Sequence, residues 1–454
     1  MAKKSPIANL WHDPPGPQWT ANFPQPTVLT QETERVLQLF AKRPKLAQMY
    51  SNCLMFTAGR ATLLEDGTTF IGQVPINHHR DMAIGVIPYL PFAAKDENLA
   101  RMIAGLIRRQ VRCMLLDSYA HSFKREPNPE VRREGEIAFE NPWIWRRKYE
   151  LDAVCYPIWL AAKYWKATGR INVFDFWFHA IIRRLVEQWK LEQRHTERSV
   201  YRYQCPNKIE SLPNDGLGMP VTYTGMSWSG FRPSDDACKY GYYIPSNMFA
   251  SVTLSHIAEI ATSIYSDESL ADYAANLKTE IDDGIALYAT VEHPRHGKIY
   301  CYETDGFGHY ELADEGYIPN LLSMPYFGFC DKNDPVYCNT RNFILSRDNP
   351  YYAEGSIGKG LGGMHFGKIG WLWPMGLVMQ ALTTSDHDEI LTVVDYLEAT
   401  DDNTEYMLEC VDPNDSSNRI PHNSPTRGFG TANSLFAQLI YQLSREKWFI
   451  ESVT

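Results

Sequence analysis

The sequence predicts a mainly α-helical single domain whose helices pair into a toroid, with short strands in the loops. Three observations predict this. Apolar residues recur at three- and four-residue spacing over several long stretches. Strand-like alternation is confined to short pieces. Glycine and proline stand singly between the periodic stretches, and 454 residues show no pooled linker, low-complexity tract or short repeat.

Taken in chain order, residues 97–116 place Met102, Ile103, Leu106, Ile107, Cys113 and Met114 on one face. Residues 152–166 form a second helix, which Pro157 should start or kink and Gly169 should stop. Phe174, Trp177, Phe178, Ile181, Ile182, Leu185 and Trp189 give a third helix a broad apolar face. A fourth runs from Met248 through Val252, Ile257 and Ile260 to Ile264. Residues 68–71 and 298–302 alternate as short strands.

Composition narrows the function classes. A net charge of −10 without a basic cluster argues against nucleic acid and anionic membrane as partners. No segment reaches the eighteen or so apolar residues of a membrane span, and no apolar stretch after Met1 serves as a signal peptide. Nine cysteines, an odd count without a Cys-x-x-Cys pair, fit a reduced cytoplasmic enzyme better than a disulfide framework. The 12 Trp and 26 Tyr suit a site for a carbohydrate or other bulky ligand, or simply a core.

The chemistry concentrates in residues 225–238. There Asp235 and Asp236 follow the turn of Arg232, Pro233 and Ser234, close to Trp228. An acidic pair in a pocket walled by an indole is what acid-catalysed chemistry on a sugar needs. The bland reading has Ser234, Asp235 and Asp236 capping a helix that runs through Tyr240 to Phe249.

The same stretch, continued through Asn247, Met248 and Phe249, resembles glycoside hydrolase family 125, whose characterised members are exo-acting α-1,6-mannosidases. Collinear segments carry the resemblance onward from about residue 30. They include Pro142 to Trp145 with Lys148, Tyr149 and Glu150, then Asp305 to Gly308, Asp348 to Tyr351, Trp373-Pro374 and Ala432 to Phe436. The resemblance implies an (α/α)6 barrel over residues 31–454 behind an N-terminal extension of residues 1–30. It implies inversion, with no cofactor and no metal. The family's acid maps onto Asp235 and Asp236, with Asp235 favoured because it comes first after the turn. Its base maps onto Glu409. Arg80, Asp81, His365 and Arg427 match sugar-binding positions, and His78, His79, Trp228 and Arg232 are expected to line the same site.

Departures from the family pattern cluster where a sugar would be held. Gln73, His78, Met82, Phe366 and Leu408 replace the family's Asp, Trp, Ser, Thr and His, and two Trp are lost around Gly428. They motivate a rival reading, in which the scaffold performs acid–base cyclisation, dehydration or isomerisation of a non-sugar metabolite. A non-catalytic binding protein is a third reading, disfavoured by the three retained carboxylates. His78, His79 and Asp81 invite a metal reading, but adjacent side chains point apart and metal sites use wider spacings. The glycine-rich residues 355–363 lack the Lys-Ser/Thr of a phosphate loop, and no Gly-x-Ser-x-Gly elbow is present.

Overall fold

Twelve helices of eight or more residues stand among residues 26–71, 76–128, 141–419 and 428–453, which the computed structural model describes. They are α1 (Thr27–Leu39), α2 (Pro44–Ala58), α3 (His79–Val86), α4 (Glu97–Leu116), α5 (Leu151–Thr168) and α6 (Phe176–Glu192). The second half supplies α7 (Ile244–Ile260), α8 (Glu268–Tyr288), α9 (Pro335–Ile344), α10 (Pro374–Leu382), α11 (His387–Ala399) and α12 (Gly430–Leu443).

The helices sort by burial. In α5 and α7 side chains are buried nearly all round, because both are apolar on every face. In α4 and α6 only one stripe is buried, as their periodicity predicts. Both begin on an Asp cap: Asp96 accepts from the Leu99 amide and Asp175 from the Phe178 amide, each at 2.9 Å. Packing follows the same division. The chain of contacts runs from α12 to α3, then α5, then α7, then the short turns of Leu321–Ser323 and Met324–Phe327, then α10 and back to α12. Helices α4, α8 and α11 lie behind α5, α7 and α10, while α1 backs α2.

Strands are short and sit in the connections. Ile76–His78, Ser122–Lys124 and Ile144–Arg146 form one antiparallel sheet, with His78 opposite Ser122 and Ser122 opposite Arg146. Tyr242–Tyr243, Glu303–Thr304 and Tyr310–Glu311 form another. The expected strands appear as Thr69–Ile71 and Gly297–Tyr300.

Helix α5 stops at Gly169 as expected, with the left-handed φ of 69°, but it begins at Leu151 and continues through Pro157. Two local expectations change. Helix α7 begins only at Ile244, so Asp235 and Asp236 cap nothing; they lie on a loop closed by a bridge between Phe231 and Ala237. Helix α1 begins at Thr27, inside the segment assigned to the extension, and packs on α2. Residues 1–25 of that extension lie outside the described residues. Among the described residues, no helix is long and apolar enough to cross a membrane.

Candidate active site

A cavity of about 800 Å³ opens where the connections between helices meet. The strand Ile76–His78 and the first turn of α3 bring His78, Arg80 and Asp81 to its wall. The 231–237 loop contributes Asp235 and Asp236, residues 365–367 contribute His365 and Phe366, and Tyr317 and Glu409 stand nearby. The start of α12 adds Phe429 and Thr431. Seven of the residues anticipated for the site therefore share one cavity.

Their partners differentiate them. Arg80 is buried and its fork is committed: Nη1 donates to Glu150 (2.7 Å) and Asp152 (2.9 Å), and Nη2 to the Pro233 carbonyl (2.6 Å). It therefore ties α5 to the acidic loop rather than offering a free fork to a hydroxyl pair. Asp81 accepts from the Thr431 hydroxyl at 3.0 Å, which joins α3 to α12.

Asp235 and Asp236 point into opposite environments. Asp235 has the left-handed φ of 75°. Its carboxylate pairs with Arg146 and lies 3.4 Å from His121 Nε2 and 3.7 Å from Lys148 Nζ. Burial opposes its charge, yet Lys148, His121 and Arg146 together hold it well below the usual carboxylate range. Asp236 bonds through Oδ1 to His365 Nδ1 at 2.9 Å, while its buried Oδ2 has no partner among the described residues. Burial works against a charged His365, but the bond to Asp236 and that residue's charge outweigh it and raise the imidazole above its ordinary value. Glu409 accepts from the Tyr317 hydroxyl at 3.0 Å. It projects from a segment whose other members, Met407, Leu408 and Cys410, are fully buried.

Three anticipated residues lie elsewhere. The Trp228 indole is buried behind the wall, stacked on His195 at 3.4 Å between ring centroids. Gly218, Gly230 and Gly241 crowd its edges, so it is core rather than sugar platform. Arg232 is buried in ion pairs with Glu303 (2.5 Å) and Glu311 (2.9 Å), fastening the loop from below. The His79 ring packs on Phe123 at 5.2 Å, and burial and the neighbouring His78 push its pKa down to about 3. The His78, His79 and Asp81 trio is thus split, since His78 alone of the two imidazoles faces the cavity. Arg427 and Gln73 lie outside the described residues. Of the departures noted above, His78, Met82, Phe366 and Gly428 line the cavity, whereas Leu408 is core.

Sequence reasoning gave no site role to the basic and acidic groups packed around the loop: His121, Arg146, Lys148, Glu150, Asp152, Glu210 and Glu315. The run Arg146-Arg147-Lys148 before Tyr149 and Glu150 was the available signal, because the next helix, α5, is apolar on every face. Among the described residues, His121, Glu150 and Asp235 each present one ligand atom within 4.8 Å of the others, a grouping that could hold a cation. Arg146 and Lys148 beside Asp235, and Arg80 on Glu150, already supply positive charge to both carboxylates.

Residues 43–441 match the family model described as metal-independent alpha-mannosidase (GH125). The chain is 34% identical over 434 residues to the meiotically up-regulated gene 157 protein of Schizosaccharomyces pombe, covering 88% of this chain and 83% of that one. A Streptococcus pneumoniae metal-independent α-mannosidase, solved in a non-productive complex with α-1,6-mannobiose, superimposes with a TM-score of 0.88 at 36% identity. That match covers 94% of this chain and 98% of the other. A bacterial glucoamylase bound to acarbose shares the fold alone, with a TM-score of 0.55 at 14% identity over 89% of this chain and 56% of its own. The chain belongs to glycoside hydrolase family 125 and is a glycoside hydrolase.

Proposed function

We propose that this enzyme is an inverting, exo-acting α-mannosidase in which Asp236 donates the proton to the leaving oxygen and Glu409 activates the attacking water. One observation carries the proposal: two carboxylates from distant segments line one cavity, and among the described residues the partnering of Asp236 leaves one of its oxygens without a protein bond. Asp235, favoured from its place after the turn, suits the acid role less well, because three basic groups favour its ionised form. Asp236 instead meets a single basic group, the His365 ring on Oδ1, and its Oδ2 bonds no protein group among the described residues.

The (α/α)6 barrel is proposed as a closed ring. Its support is the run of helix contacts that leaves α12, passes through α3, α5, α7 and α10, and returns to α12. Residues from α1 to the C-terminus are proposed as one catalytic domain. An α-mannosidic oligosaccharide is the proposed substrate class, by analogy with the mannobiose bound by the streptococcal relative. A cytoplasmic location is supported by nine cysteines that all remain free thiols. The rival reading of a repurposed non-sugar enzyme loses ground, since the likeness to a mannosidase spans nearly the whole chain.

The test follows the product and three isosteric variants. Hydrolysis of α-1,6-mannobiose, followed by NMR, should release β-mannose first, since inversion delivers water to the opposite face. Asp236→Asn and Glu409→Gln should each lower kcat by about 10²–10⁴-fold, while Asp235→Asn keeps more activity than Asp236→Asn. Initial release of α-mannose would refute inversion, and an Asp236→Asn enzyme with wild-type kcat would remove the assigned acid.

A further inference from the structure

The loop that carries the proposed acid is pinned at every residue. Arg232 pairs with Glu303 and Glu311, and the Pro233 carbonyl accepts from Arg80. The Ser234 hydroxyl donates to Glu315 at 2.7 Å, and Asp236 bonds His365. Across the loop, the Arg232 amide donates to the Asp236 carbonyl (2.8 Å) and the Asp235 amide to the Arg232 carbonyl (3.0 Å). The strained point is Asp235, whose positive φ disfavours any residue with a Cβ. Such a conformation persists only when its surroundings over-determine it, and it is found preferentially at functional sites.

The group that over-determines it is Lys148. Its ammonium has no exposed surface, yet it lies beneath the loop rather than in the cavity wall. One hydrogen goes to the Asp235 carbonyl at 2.7 Å, and that carbonyl belongs to the peptide joining Asp235 to Asp236. A second goes to Glu210 at 2.7 Å, and the ammonium also stands 3.7 Å from Asp235 Oδ1. The Phe231 ring at 5.3 Å closes the remaining side. Arg146, at the end of the Ile144–Arg146 strand, and His121, just before the Ser122–Lys124 strand, then fix the Asp235 carboxylate. Rotation of the Asp235–Asp236 peptide would break the Lys148 bond and carry Asp236 away from His365. A buried lysine whose donors go to one strained peptide and its anchor is a costly way to fill space.

We propose that Lys148 is a positioning residue for acid catalysis: it holds the Asp235–Asp236 peptide in its left-handed turn, so that the Asp236 carboxyl stays at the cavity wall, and Asp235 is the handle it grips. The inference rests on Asp236 being the acid. A residue that only stabilises the fold would affect all substrates alike, whereas one acting through the acid must follow the leaving group's need for a proton.

The experiment compares α-1,6-mannobiose, whose leaving alkoxide requires that proton, with 2,4-dinitrophenyl α-mannoside, whose phenolate does not. Lys148→Met should lower kcat on mannobiose by about 10²-fold, the usual cost of misplacing a catalytic group by about an ångström. On the dinitrophenyl substrate the loss should stay under about tenfold, with KM for both within a few-fold of wild type. Equal losses on the two substrates, or no loss, overturn the proposal. Should Lys148→Met fail to fold, Glu210→Gln loosens the ammonium without removing it. It should show the same leaving-group dependence at about tenfold on mannobiose, and its absence is equally decisive. Asp236→Asn separates the two proposals. If it retains mannobiose hydrolysis, the acid assignment fails. If it loses mannobiose hydrolysis but cleaves the dinitrophenyl substrate while Lys148→Met loses both alike, only the role of Lys148 fails.

Discussion

The Asp236–His365 pair makes the proposed acid measurable at the level of single residues. His365 is raised above the usual imidazole pKa of about 6.5 because Asp236 outweighs the cost of its burial. In Asp236→Asn the carboxylate is gone, so the His365 midpoint should fall below its wild-type value, as read by NMR titration of the imidazole. The sign for stability follows. A group whose pKa rises on folding contributes stability that is fully present below its unfolded value and is lost as pH climbs through its folded value. Wild-type stability should therefore decline above about pH 6.5 by an increment that Asp236→Asn lacks. Parallel denaturation profiles for the two proteins across that range would contradict the pairing. The acidic pair and Glu409 were legible because the family's motif marks them by type and order. Which of Asp235 and Asp236 stays ionised was not legible, because Lys148, Arg146 and His121 come from two segments far upstream in the sequence. Trp228 misled for a related reason, since a Trp beside carboxylates reads the same whether it faces a cavity or the ring of His195.

Elements meet backbone to backbone where α8 packs on residues 224–226. Helix α8 presses Gly284 against the Thr224 carbonyl, and a Cβ added there would lie 2.4 Å from that oxygen and 3.1 Å from Met226 Cγ. Gly225 mirrors it, facing the Glu280 carbonyl with a φ of 87°. In an isolated helix Gly→Ala stabilises by about 1 kcal/mol. Here the nearest atom is main chain and cannot rotate away, so overpacking of about 1–3 kcal/mol should win. Gly284→Ala should lower the urea midpoint, and because residues 224–226 lead into the 231–237 loop it should lower kcat as well. A variant more stable than wild type would mean that the helix and segment separate easily. Element existence was read well where one face is polar, as in α4 and α6. Boundaries were read poorly around α7, which is buried on nearly every side and begins after a two-residue strand that no alternation announces. Pro157 sits within α5 without ending it, where local propensity alone would have divided the helix.

The first and last described helices meet and hold the whole molecule there, and no local pattern in the sequence reports that. Glu32 of α1 is buried and receives Arg445, just beyond α12, through Oε1 at 3.1 Å and Oε2 at 3.2 Å. Arg35 binds the same carboxylate and donates to the Ser444 hydroxyl at 2.7 Å. The Phe40 and Phe449 rings meet edge to face at 5.9 Å beside them. Because α12 also packs on α2, α3 and α10, this clasp ties the first described helix to the element that touches both ends of the helix order. Burial raises the proton affinity of Glu32, but Arg35 and Arg445 outweigh it and lower its pKa. A depressed carboxylate contributes stability that is present above its unfolded pKa and lost as pH falls through its folded one. Both arginines are about two-fifths exposed, so solvent screening keeps the contribution modest. Glu32→Gln should cost about 1 kcal/mol at neutral pH, roughly a fivefold rise in local opening. Hydrogen exchange should quicken in α1 and in the last turn of α12 together, while α5 and α7 keep wild-type protection. The difference from wild type should shrink as pH drops below the range in which Glu32 ionises. Faster exchange confined to α1 would show that the two ends are held independently and that the clasp does not couple them.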